Sequence, residues 1–289
     1  MKITAFRTYF IEQVAPYFDA EEATSFFYLL IEQRRNLKRV DLVMQPDLFL
    51  TESELVEFQF VISELQRHKP IQYILGSTEF YGLQFDVNEH TLIPRPETEE
   101  LVEWVILTQK SIVENLESEG ATIDLLDIGT GSGCIAISLA KNMLHTQVAA
   151  IDVSVEALAT AQKNAGTHKV AVEFICKNIL EATVLPQKYH VIVSNPPYIR
   201  MLEKQEIKPN VLDFEPHLAL FVANEDPLLF YRKIAQLAQK YLHEKGYLFF
   251  EINQYLANET VNLLEDIGFK SIELRKDIYG NDRMIRCQV

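Results

Sequence analysis

Residues 123–134 read Ile-Asp-Leu-Leu-Asp-Ile-Gly-Thr-Gly-Ser-Gly-Cys, and the apolar residues Ile135, Ala136, Ile137 and Leu139 follow. An apolar run, three glycines at alternate positions and a second apolar run describe a buried strand, a tight turn and a helix. Glycine permits the sharp turn and lets a ligand approach the backbone. The helix start adds unpaired N–H groups and a positive dipole end, which suit an anion.

Downstream of this unit, strand and helix patterns alternate. The pattern predicts a helix over 134–144, a strand over 148–151 ending at Asp152, and a helix capped by Ser154. Strands over 170–175 and 190–194 come next, then a helix opened by Asp226-Pro227. Gly246 ends that helix before a strand over 247–252, and a further helix stops near Gly268. Strands over 271–275 and 284–288 close the chain. Such alternation predicts an α/β fold with a mostly parallel sheet covered on both faces. The last two strands lack an intervening helix, so they form an antiparallel hairpin at one side.

Upstream, the chain reads as helical. Asp19 with Glu22, and Thr51 with Glu54, are capping signals, and Leu55, Phe58, Val61, Ile62 and Leu65 mark one face of a helical segment that Pro70 ends. Strands over 78–80 and 83–87 flank Tyr81-Gly82 as a hairpin. Pro94 and Pro96 then lead to a helix whose apolar side includes Leu101, Val102, Val105, Ile106, Val113 and Leu116. The expected organisation is a helical domain over 1–75, a hairpin linker over 76–96 and an α/β domain over 97–289.

A formal net charge of -14 disfavours non-specific contact with a nucleic-acid backbone. No direct nucleic-acid binding is expected. No stretch approaches the ~18 apolar residues of a membrane span, and the first residues lack a secretory pattern. A cytoplasmic monomer is the expectation. The cysteines, Cys134, Cys176 and Cys287, read as reduced and largely buried thiols, and the histidines show no metal-ligand spacing. The acidic run over 97–103 reads as a solvated helix face.

Dinucleotide enzymes carry a third glycine at the position occupied by Cys134, so that cofactor class fits poorly. The alternate spacing instead resembles the S-adenosylmethionine loop of class I methyltransferases. Asp127, Gly129, Thr130, Gly131, Ser132 and Gly133 form this candidate site. Asp152 ends the next strand, where an acid accepts from ribose hydroxyls; the alternative is a helix cap. Asn178-Ile179 follows the third strand. Related enzymes often have Asp at the Asn178 position to accept from the adenine amino group, and Asn accepts through its carbonyl. Ile179 packs on the adenine face or in the core.

Ser194, Asn195, Pro196, Pro197 and Tyr198 follow the fourth strand of the sheet, at the carboxyl edge where open α/β sheets place ligands. An amide or aromatic amine nitrogen is a poor nucleophile because its lone pair is delocalised. Two acceptors that hold both N–H hydrogens favour a pyramidal nitrogen. Asn195 offers a side-chain carbonyl and Pro196 a backbone carbonyl, which Pro197 holds in direction. Preorganised dipoles act most strongly in a dry site. Tyr198 can cover a planar substrate group and face a sulfonium charge. The alternative is an ordinary Pro-Pro turn.

Further stretches extend the likeness: Gln72 to Gly76 (QYILG), Glu79 to Gly82 (EFYG), Leu92 to Glu99 (LIPRPETE), Phe214 to Pro216 (FEP) and Gly280 to Arg283 (GNDR). With DIGTGSG and SNPPYI, the chain resembles the peptide chain release factor glutamine methyltransferases. The resemblance implies a seven-stranded class I methyltransferase (Rossmann-like) domain, a small helical N-terminal domain and a β-hairpin linker. It implies S-adenosylmethionine as methyl donor, S-adenosylhomocysteine as product, and class-1 release factors as protein substrate. It places cofactor at Gly129 to Gly133, Asp152, Ile179 and Asn195, and the substrate glutamine at Asn195, Pro196, Pro197 and Tyr198. Glu251, ending the fifth strand, has no assigned role. The NPPY tetrapeptide also occurs in DNA adenine N6-methyltransferases, and a sister family methylates a ribosomal-protein glutamine. The IPRPETE stretch favours the release-factor group.

Overall fold

The computed structural model describes residues 1–114 and 122–289. The chain forms two compact units, one of Met1–Gly76 with Lys208–Phe214, the other of Ser77–Ile207 with Glu215–Val289.

The first unit opens with α1 (Ile3–Val14), α2 (Ala20–Arg35), α3 (Arg39–Met44), α4 (Glu52–Leu65) and α5 (Ile71–Leu75). Phe6, Phe10, Phe27, Leu30, Phe58 and Leu65 fill its core. Capping chemistry sets the helix starts. Asp19 Oδ1 accepts the Glu22 N–H at 2.7 Å, and Thr51 and Glu54 cap each other reciprocally. Pro70 does not end α4, which already stops at Leu65; a turn with His68 at φ +63° intervenes, and Pro70 leads into α5.

The second unit begins with β1 (Ser77–Phe80) and β2 (Leu83–Asp86), paired antiparallel. Tyr81 and Gly82 have φ of +50° and +71°, which matches the right-handed twist of a two-residue hairpin. Next come α6 (Pro96–Glu114), β3 (Ile123–Ile128), α7 (Cys134–Asn142), β4 (Thr146–Asp152), α8 (Val155–His168), β5 (Val172–Cys176) and β6 (Tyr189–Ser194). Short elements follow: β7 (Ile199–Arg200), α9 (Pro209–Phe214, within the first unit), α10 (His217–Leu220) and β8 (Phe221–Val222). The unit closes with α11 (Leu229–Tyr241), β9 (Leu242–Glu251), α12 (Ala257–Ile267), β10 (Lys270–Lys276) and β11 (Asp282–Gln288).

Among the described residues, seven strands form one sheet in the order β10-β11-β9-β6-β3-β4-β5. The five strands from β9 to β5 run parallel, and β11 is antiparallel to both its neighbours. Alternation along each strand divides the core. Leu125, Val193 and Phe249 pack with Leu101 and Trp104 of α6 on one face. Leu126, Ile192 and Phe250 pack with Tyr231 and Ile234 of α11 on the other. The parallel strands end together at Ile128, Asp152, Cys176, Ser194 and Glu251.

Several sequence expectations need correction. Asp226-Pro227 does not open α11: the Asp226 carbonyl accepts the Leu229 N–H in a preceding turn, and its carboxylate binds Arg232. Gly246 does not stop the helix. It lies inside β9, where the β6–β9 register shifts and a Cβ would meet the His243 carbonyl at 2.9 Å. Cys176 is exposed, while Cys134 and Cys287 are buried. The acidic run is not simply solvated: Glu99 accepts the Tyr81 N–H and Glu100 the Ile278 N–H. Leu116 lies outside the described residues. Among those described, no helix is long and apolar enough to cross a membrane.

Candidate active site

The glycine loop is held from below by β4. Gly129 and Thr130 N–H groups donate to the Ile151 carbonyl at 2.8 and 3.1 Å, and Gly131 N–H donates to Asp152 Oδ2 at 2.8 Å. Those donors are therefore committed within the protein. The anion-binding capacity rests on the start of α7, whose N-cap, Gly133, provides no side-chain cap. The glycines differ in purpose. At Gly133 (φ +82°) a Cβ would meet Ile137 Cδ1 at 2.8 Å and Ala161 Cβ at 3.1 Å, so its absence lets α7 pack. At Gly131 (φ +55°) nothing lies within 4 Å, and the backbone faces open space.

Asp127 is buried near the end of β3. Its Oδ2 accepts from the Thr130 hydroxyl at 2.6 Å, and its Oδ1 has no partner. Burial pushes its pKa up to about 7, against the opposing Thr130 hydrogen bond and Ala136 N–H. Ser132 is buried and its carbonyl accepts from Asn164. Asp152 is half-buried, and its Oδ1 accepts the Ser154 N–H at 3.0 Å. It does not cap α8, because Ser154 does so through the Ala157 N–H. Each Asp152 oxygen retains further acceptor capacity.

The Asn178-Ile179 stretch is more occupied. Asn178 Oδ1 accepts the Leu180 N–H at 3.1 Å and its Nδ2 donates to Glu181. Ile179 is buried with Ile128 and Ile151 in the α11-side core.

Two loops meet where β3 and β6 end. The Ser194 hydroxyl donates to the Ile128 carbonyl at 2.6 Å, and a Cβ at Gly129 would lie 3.9 Å from the Asn195 carbonyl oxygen. Pro196 is buried; Asn195, Pro197 and Tyr198 are half-buried. Asn195 Nδ2 donates to Thr98 Oγ1 at 3.3 Å, and Thr98 Oγ1 donates to Glu251 Oε2 at 2.6 Å. The Tyr198 hydroxyl donates to Glu251 Oε1 at 3.0 Å, and its carbonyl accepts from Asn253. Tyr198 packs on the α11-side core. Burial raises the pKa of Glu251, while bonds from Thr98 and Tyr198 and the Arg283 charge favour its ionised form. Burial also raises the Tyr198 pKa, so its hydroxyl stays protonated and donating.

The other motif stretches build the surroundings. Arg95 Nη2 binds Glu215 Oε1 at 2.5 Å, and Glu215 Oε2 accepts the Ile93 N–H. This joins residues 92–99 to residues 214–216. Arg283 is held by Asp277, and its carbonyl accepts the Ile252 N–H beside Glu251. Sequence reasoning missed Thr98, although it lies within the 92–99 stretch.

Two other features lie away from these loops. A groove of about 690 Å³ is lined by the first residues of β4 and β5 and by α8, and shares no residue with the glycine or Asn195 loops. Asp124, His190 and His243 bring possible ligand atoms within 4.8 Å of one another, which their spacing in the chain conceals. However, His190 Nδ1 accepts the Asp124 N–H, and the two imidazoles stack at 4.2 Å with 19° between planes. Near-parallel rings do not direct in-plane lone pairs at one point.

A parallel sheet closed by an antiparallel hairpin, a glycine loop after β3 and an acid ending β4 together define a class I methyltransferase domain. The family model Methyltransferase small domain matches residues 108–213, and PrmC N-terminal domain matches residues 18–76. The chain is 58% identical to the Release factor glutamine methyltransferase of Flavobacterium psychrophilum, with 99% of each chain covered. It is 41% identical to that of Bacteroides thetaiotaomicron, with 98% of each covered. The solved hMettl16 catalytic domain in complex with MAT2A 3'UTR hairpin 6 shares the fold, with TM-score 0.55 and 16% identity over 75% of this chain and 80% of that one. The chain belongs to the release factor glutamine methyltransferase family.

Proposed function

We propose that this chain methylates the side-chain amide N5 of the glutamine in the Gly-Gly-Gln motif of class-1 peptide chain release factors, using S-adenosylmethionine. The observation that carries the reading is the meeting of the glycine loop with the Asn195 loop, through Ser194 and the Ile128 carbonyl at 2.6 Å. Membership of the family supports it.

The residues present fit the cofactor. Asp127 offers a buried carboxylate oxygen without a partner, suited to a cationic amino-acid end. The dipole at the start of α7 favours the carboxylate, and Asp152 suits the ribose hydroxyls. Gly129, Thr130, Gly131, Ser132 and Gly133 shape the floor. Asn178 and Ile179 border the adenine, with Asn178 offering only the acceptor capacity left by Leu180. When bound, S-adenosylmethionine supplies an electrophilic methyl group, and S-adenosylhomocysteine is the product.

Asn195 Oδ1 and the Pro196 carbonyl accept the two amide hydrogens and free the nitrogen lone pair. Pro197 fixes the backbone direction of Pro196. Tyr198, anchored through its hydroxyl, supports the loop and borders the substrate. No side chain needs to act as base, because the methylated nitrogen gives its proton to water. The helical unit holds the release factor. The protein works as a cytoplasmic monomer without direct nucleic-acid contact. The test offers labelled cofactor with either an unmethylated release factor or unmethylated DNA. Label in the release factor is expected; label in DNA alone overturns the substrate.

A further inference from the structure

Glu251, Thr98 and Asn195 form a hydrogen-bond chain whose direction is set at one end. The Glu251 carboxylate is 1% exposed and receives hydroxyl hydrogens from both Thr98, at 2.6 Å, and Tyr198, at 3.0 Å. Asn195 sets Nδ2, which can only donate, against Thr98 Oγ1 at 3.3 Å, so Thr98 accepts there and its own hydrogen is left for Glu251. A hydroxyl has one hydrogen, and with it given to Glu251, Thr98 Oγ1 can only accept from Asn195. The Asn195 amide is thereby turned with Nδ2 towards Thr98 and Oδ1 away from it.

Without such a constraint, an asparagine side chain can present either end of a nearly symmetrical group. The wrong end would set an NH2 donor against the NH2 donor of a substrate amide, leaving both without acceptors.

We propose that Glu251, acting through Thr98, is the positioning residue that turns the Asn195 carbonyl oxygen towards the substrate amide. The proposal rests on the glutamine-methyltransferase reading above. Glu251 itself is not the base of the reaction, since each of its oxygens already holds a hydroxyl. Thr98 lies in the first turn of α6 and is buried, so the chain is anchored on packed secondary structure.

Thr98→Val keeps the volume and removes the hydroxyl; Thr98→Ser keeps the hydroxyl. Wild type and both variants are compared by three readouts: kcat for methylation of a release factor, S-adenosylhomocysteine affinity by calorimetry, and the Asn195 side-chain amide resonances in ¹⁵N-labelled protein. Thr98→Val is expected to lose roughly 10- to 100-fold in kcat, with cofactor Kd within about twofold and shifted Asn195 resonances. Thr98→Ser restores kcat and the resonances. Wild-type kcat in Thr98→Val, or unmoved Asn195 resonances, overturns the proposal. A wild type that leaves release factors unlabelled refutes the function instead, and the resonances alone then decide the positioning role.

Discussion

The Asp152 carboxylate accepts the Gly131 N–H at 2.8 Å and so ties the end of β4 to the turn after β3. The acid proposed to hold the ribose therefore also shapes the glycine loop. Asp152→Ala removes both contributions. Charge-assisted hydrogen bonds contribute roughly 1.5–3 kcal/mol each, so cofactor affinity falls by roughly 10- to 100-fold or more. Calorimetric titration with S-adenosylhomocysteine measures this. An unchanged Kd contradicts the placement.

Asn195→Ala removes one of the two acceptors while leaving the glycine loop intact. Turnover falls by about 100-fold or more, as for loss of a preorganised dipole, and cofactor Kd holds within a few-fold. Single-turnover methylation and calorimetry on the same sample separate the two effects. Wild-type turnover in this variant removes Asn195 from the chemistry.

Asp127, proposed to face the cationic end of the cofactor, is expected to make binding pH-dependent. Burial raises its folded-state pKa from 3.8 to about 7. The stability it contributes to the free protein is full below its unfolded pKa and is lost as pH rises through about 7. A cationic ligand beside the free oxygen favours the ionised form. Cofactor affinity thus increases as pH rises to about 7 and levels off above it, by at most about tenfold per pH unit. Asp127→Asn flattens the profile. A wild-type affinity that is flat across this range counts against the contact.

Gly131 and Gly133 separate binding from folding. Gly133→Ala drives a methyl group into Ile137 and Ala161 at positive φ, and overpacking costs about 1–3 kcal/mol beyond the backbone strain. Its Tm drops by several degrees. Gly131→Ala meets no neighbour, so only the left-handed backbone penalty of roughly 1–2 kcal/mol applies, while the methyl group enters the ligand space. Its larger loss is in cofactor affinity. Thermal melts with and without S-adenosylhomocysteine distinguish these outcomes, and equal behaviour of the two variants would falsify the division.

Much of this was legible in the chain because periodicity and turn chemistry are local. Tyr81-Gly82 marked the hairpin, Ser154 the start of α8 and Gly268 the end of α12, and each does so in the structure. Asp226-Pro227 misled because Arg232 claims the Asp226 carboxylate, a contact one helical turn ahead of the expected cap. Gly246 misled because a bulge inside a strand and a helix stop use the same residue type. The glycine and Asn195 loops were legible as separate motifs; that they touch through Ser194 and Ile128 follows from the β3–β6 pairing. Thr98 and Glu251 were not legible as a pair, since 153 positions separate them and the 92–99 stretch that holds Thr98 does not point to Glu251.

The proposed function requires the Asn195 loop to present its acceptors to a glutamine side chain. Its most direct measurement is peptide mass mapping of an unmethylated class-1 release factor after incubation with wild-type protein and labelled S-adenosylmethionine. A single methyl group is expected on the side-chain amide of the Gly-Gly-Gln glutamine. Transfer to any other residue, or none to the release factor while DNA or a ribosomal protein is labelled, would contradict it.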